Sequence, residues 1–173
     1  MEEAFIDLGL ALIFSIFLVY AVMAIQFESF LYPFIIMFAI PTSAIGVLLG
    51  LFATDIALSV PAIIGITMLA GVVVNNSILL VDYTNLLRER GMERMEAIVE
   101  AGRNRLRPIL MTTITTVLAL IPLSLGIGEG AELQQPLAVT VIFGLSTSSI
   151  FTLFLVPVIY LLLDNLSKKI KVK

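Results

Sequence analysis

Five apolar runs decide what this chain can fold into. They lie at about 8–26, 33–53, 57–82, 107–126 and 136–163, each close to or above the roughly 20 residues that cross a hydrocarbon core of about 30 Å. Inside that core no water is present to bond the backbone, and a helix satisfies its N–H and C=O groups within one segment. Composition agrees, with 60% hydrophobic residues and a mean hydropathy of +1.10, where a soluble domain is about 45–50% apolar. The expected fold is all-α: a polytopic membrane helix bundle of about five transmembrane helices, forming one membrane domain over residues 1–173.

The punctuation between the runs refines this. Gln26, Glu28 and Ser29 mark a short polar turn, and Pro33 suits the first turn of the next helix, where its missing N–H costs nothing. Pro41 should kink the second run, and Gly46 and Gly50 form a GxxxG face that permits close helix contact. The third run carries Pro61, Gly65, Gly71, the adjacent amides Asn75 and Asn76, and Asp82 at its end. After a turn at Gly91, Met95, Ile98, Val99, Gly102 and Leu106 recur at helical spacing among arginines and glutamates. This predicts a cytoplasmic amphipathic helix at about 92–104, either on the membrane surface or as a solvated connection. Pro108 should open the fourth run, in which Thr112 and Thr116 share a face. Pro136 should open the fifth, where Gly144, Ser146, Thr147, Ser148 and Ser149 cluster.

Charge placement gives the orientation. The ten Lys and Arg residues fall at 88–107 and 168–173 alone, while Glu2, Glu3, Asp7, Asp55, Glu129 and Glu132 fall elsewhere. With five spans both basic blocks lie on one side, which the positive-inside rule makes the cytoplasm, leaving the amino terminus outside. One span more or fewer would separate them. The start, Met-Glu-Glu-Ala, is acidic where a cleavable leader is basic. The absence of Cys and His excludes disulfides, a His-ligated metal site and a Ser-His pair. Neither a cofactor nor a nucleic-acid partner is expected, and an intramembrane enzyme is the weakest reading.

The remaining chemistry is polar and deep. Asn75 precedes Asp82 by seven residues and Thr112 follows Arg105 by seven, so each should lie about 10 Å from the cytoplasmic end of its helix. Asn75, Asn76, Thr112 and Thr116 are then expected to face one another at one depth. Two readings stay open: hydrogen-bonded helix contact, or part of a proton or ion relay. A relay needs a titrating group, and no carboxylate lies mid-membrane in this sequence.

Three stretches carry a resemblance: FESFLYPFIIMFAIPTSAIG, GVVVNNSILLVDYTNLLRERG, and EAIVEAGRNRLRPILMTTITTVLALIPLSLGIGEGAELQQPLAVTVIFG. They are similar to the carboxy-terminal half of resistance–nodulation–division efflux pumps of the hydrophobe/amphiphile branch. The resemblance implies an inner-membrane pump of twelve spans in two repeats, trimeric and proton-driven, with periplasmic porter domains and a possible periplasmic adaptor. This chain would supply the eighth to twelfth spans. It also implies a relay in which Arg105 and Thr112 act with an aspartate pair on the fourth span of the other repeat. Where such pumps carry a lysine, this sequence has Asn75, beside Asn76. The expected function is therefore a membrane part of a proton-driven efflux transporter, unable to transport alone. The alternative is a non-transporting scaffold or truncated remnant.

Overall fold

The computed structural model describes residues 2–128 and 130–171, with side chains at 6–128 and 130–163. Glu129 of the acidic loop and the last residues of the basic tail, Val172 and Lys173, lie outside the described residues. Six helices follow in order: α1 Glu2–Gln26, α2 Leu31–Met37, α3 Ala39–Ala53, α4 Val60–Glu89, α5 Arg94–Ser124 and α6 Ala131–Lys171. Counting α2 and α3 as one crossing, five are long and apolar enough to span a membrane, and no strand occurs among the described residues.

The proline at 41 does more than bend its helix. Its ring clashes with the carbonyl four residues earlier and it offers no N–H, so the chain breaks at Phe38, whose N–H reaches back only to Ile35 O at 3.3 Å. The turn at Gly91 forms as expected. Gly91 has a φ of +88°, and the N–H groups of Met92 and Gly91 bond Leu87 O and Arg88 O at 3.2 and 3.0 Å, the Schellman arrangement that a left-handed residue permits.

Two helix starts differ from expectation. Residues 94–107 and the fourth span form one continuous helix, α5, so Pro108 lies inside it and the expected amphipathic helix at 92–104 is its first turns. One missing backbone bond does not divide a helix whose buried stripe, Ala97, Ala101, Ile109 and Thr113, runs on both sides of the proline. Likewise α6 begins at Ala131, ahead of Pro136, and Gln135 Nε2 ties its first turns to Ser124 O at the end of α5 at 2.8 Å.

At the centre stands α6, packed against α2, α3, α4 and α5. Small residues let it approach. A Cβ on Gly46 would come within 2.6 Å of Phe143 O and Thr147 Cβ, and one on Gly50 within 2.5 Å of the Phe143 side chain. In return Gly144 of α6 leaves room for Leu69 and Val47. The GxxxG face is thus a contact between α3 and α6. Two apolar clusters fill the bundle. One joins Leu80, Leu87, Ala97, Ile98, Ala101 and Val156 at the end that carries the arginines. The other joins Ala39, Val47, Leu69, Val73 and Leu145 toward the opposite end.

Candidate functional site

The residues singled out in the sequence lie on α4 and α5. Along α4, Val73, Val74, Ser77, Leu80, Val81 and Thr84 point into the bundle. Helical geometry turns Met68, Gly71, Val72, Asn75, Leu79 and Asp82 the other way, and all are exposed. Asn76 is half-buried. A Cβ on Gly71 would find no atom within 4 Å; the glycine borders a cavity that Ser15, Ile16 and Val19 of α1 also line.

On α5 the same logic separates two adjacent threonines. Thr112 is exposed, and its hydroxyl bonds its own helix at Ile109 O, 2.9 Å, and Pro108 O, 3.2 Å. Thr113 is 7% exposed and Ser149 of α6 is 2% exposed, with their hydroxyl oxygens 2.7 Å apart. Thr113 also lies 2.8 Å from Ile109 O. A hydroxyl has one proton, so when Thr113 gives its own to that carbonyl, Ser149 donates to Thr113. Thr116 is half-buried.

The expected meeting of Asn75 or Asn76 with Thr112 and Thr116 is therefore not formed, and no hydrogen bond joins them among the described residues. The cause is azimuth. Residues one apart on a helix point about 100° apart, and the Ala97–Thr113 stripe that packs α5 on its neighbours turns Thr113 inward and Thr112 out.

Arg105, two turns before Thr112, is half-buried. Its Cζ lies 5.2 Å from the centroid of the Tyr83 ring on α4, within cation–π range. Tyr83 did not stand out in the sequence, since a lone aromatic near a helix end carries no pattern. Nor did Tyr160, although it ties three elements together. Its OH donates to Asn85 Oδ1 at 2.6 Å and accepts from Arg88 Nη1 at 2.7 Å, and its ring stacks on Tyr32 of α2 at 5.8 Å. Beside this cluster opens a cavity of about 490 Å³ lined by Gln26, Phe27, Tyr32, Asp82, Asn85, Arg88 and Glu89. Asp82 is thus two turns inside the end of α4, which continues to Glu89.

Chemically, then, the chain presents one fixed guanidinium, an amide pair and a hydroxyl on the outer faces of two neighbouring helices. Thr112 already bonds its own helix, but an amide on a membrane-length helix costs several kcal/mol if left to hydrocarbon, so the asparagine face calls for a polar or aqueous partner.

Residues 2–164 match the AcrB/AcrD/AcrF family. The swarming motility protein SwrC of Bacillus subtilis is 45% identical over 170 residues, which is 98% of this chain and 16% of that protein. The multidrug resistance protein MdtC of Erwinia tasmaniensis is 43% identical over 152 residues, 87% of this chain and 15% of that protein. A crystal structure of a heavy metal efflux pump superposes with a TM-score of 0.78 at 33% identity, covering 87% of this chain and 15% of that one. The chain thus spans about a sixth of the length of these relatives, and its five long apolar helices make it a multi-pass membrane protein. By its matched residues and its five apolar helices, the chain belongs to the AcrB/AcrD/AcrF family of resistance–nodulation–division efflux transporters.

Proposed function

We propose that this chain forms the carboxy-terminal membrane helices of a proton-driven efflux transporter. It contributes Arg105, Thr112, Asn75 and Asn76 to a relay whose titrating acids come from a second group of helices. The observation that carries this reading is the exposure of Asn75 and Thr112 on outward faces of membrane-length helices. Hydrocarbon is a poor neighbour for the asparagine amide, whereas a carboxylate-bearing helix gives the amide something to bond and offers the Thr112 hydroxyl, now turned onto its own helix, an alternative acceptor. Asparagine carries no charge, so on this reading Arg105 supplies the permanent positive charge of the relay. Proton binding then falls to the partner's carboxylates, with the amides and Thr112 orienting them.

In the assembled transporter the end of the bundle bearing the arginines faces the cytoplasm, because a positive block is retained on that side. The membrane is the inner one, and the pump is a trimer joined to porter domains and a periplasmic adaptor. Reconstitution decides between this reading and a non-transporting scaffold. In proteoliposomes under a pH gradient the chain alone moves no substrate, since it holds no mid-membrane carboxylate to load and release a proton. Co-assembled with an aspartate-bearing half and its porter domains, it restores efflux, and Thr112→Ala lowers the rate. Efflux by the isolated chain refutes the division of labour. Failure to assemble with any such half favours the scaffold.

A further inference from the structure

We infer that Tyr83 is a positioning residue for Arg105: its ring is the platform that fixes where the guanidinium sits. This rests on the relay reading above. The Arg105 Cζ lies 5.2 Å from the ring centroid, inside the roughly 6 Å over which a cation is held by an aromatic face. The ring itself is anchored. Tyr83 is half-buried and packs against the cluster of Leu80, Leu87, Ala97 and Ala101, so it moves with α4. Arginine keeps its charge, and the face of the ring attracts that charge through its quadrupole. The hydroxyl matters less than the ring. Asn104 Nδ2 reaches the Tyr83 OH only at 3.4 Å while bonding Glu100 Oε1 at 2.9 Å, and 3.4 Å is beyond a good N–H···O distance.

The consequence is a link between the two halves of the outward surface. Asn75 and Tyr83 share α4, and Arg105 and Thr112 share one side of α5, two turns apart. Holding Arg105 on the Tyr83 ring therefore sets the register of the α5 groups against the α4 amides. Without the ring the guanidinium keeps its charge but loses its place, so the relay slows while substrate recognition is untouched.

The test uses Tyr83→Phe, Tyr83→Leu and Arg105→Ala in the pump assembled with an aspartate-bearing half. The phenylalanine variant keeps the ring and transports near the unsubstituted rate. The leucine variant loses roughly three- to tenfold in maximal rate at unchanged KM, the size expected for one cation–π contact. Full transport by Tyr83→Leu beside a disabled Arg105→Ala overturns the positioning role and leaves the relay standing. An Arg105→Ala variant at full rate removes the relay and this role with it. A second measurement needs no assembly. In the detergent-solubilised chain, the Arg105 δ-protons are shifted upfield by the ring current, and the shift persists in Tyr83→Phe and disappears in Tyr83→Leu. Its absence from the unsubstituted chain overturns the proposal.

Discussion

Thr112 and Thr113 differ by one position and should differ sharply in what they contribute to stability. Thr113→Val keeps the volume and removes the hydroxyl that lies 2.7 Å from Ser149 and 2.8 Å from Ile109 O. A buried polar group left without its partner costs about 1–3 kcal/mol, but inter-helix hydrogen bonds in membranes average only about 0.6 kcal/mol and reach about 1.7. Ser149 can turn back onto a carbonyl of its own helix, as Ser148 does with Leu145 O at 3.1 Å, which places the expected cost at the lower end, about 1 kcal/mol. Thr112→Val removes an exposed hydroxyl bonded only within α5, and surface changes of this kind stay within about 0.5 kcal/mol. Equilibrium unfolding of the chain in mixed micelles measures both. The decisive quantity is the coupling in a Thr113→Val/Ser149→Ala cycle, expected at about 0.6–1.7 kcal/mol. A coupling of zero, or a larger loss from Thr112→Val than from Thr113→Val, refutes the assignment of the inward-facing threonine.

Three further outcomes follow from the packing and the charge pattern. Gly46→Ala and Gly50→Ala push a Cβ into Phe143 and Thr147 of α6 and should each destabilise by about 1–3 kcal/mol, whereas Gly71→Ala, with open space around it, should gain up to about 1 kcal/mol of helix propensity; the same unfolding assay ranks all three. Tyr160→Phe leaves Asn85 Oδ1 and the Arg88 guanidinium without the phenol between them and should cost about 1.5–3 kcal/mol, as hydrogen bonds to charged groups do, while the stacking on Tyr32 persists and is visible in near-ultraviolet circular dichroism. Because the chain has no cysteine, single cysteines at Arg94 and Glu129 should label from opposite sides of a sealed vesicle with an impermeant maleimide; labelling of both from one side contradicts the five-span topology.

Hydropathy determined the helical class and the five apolar helices, and charge placement the end at which the arginines gather, because each is a local property of a run of side chains and of the backbone bonds it must satisfy internally. The stretch RLRPILMTT likewise pointed to the transporter family and to Arg105 and Thr112 as the residues to watch. What the sequence left open was direction around each helix axis. The threonines at 112, 113, 115 and 116 and the hydroxyl residues at 146–149 look interchangeable in one dimension, yet only packing on α6 turned Thr113 toward Ser149 and Thr112 outward. The proline at 108 read as a helix start because its local effect is to remove a donor; contacts on both sides of it kept α5 whole. Gly46 and Gly50 announced a close approach without saying to what, and Tyr83 and Tyr160 announced nothing, since their partners lie on other helices. Tertiary packing decided these points because it alone fixes the rotation of one helix against another, and at about 100° per residue that rotation separates a buried hydroxyl from one that faces a partner.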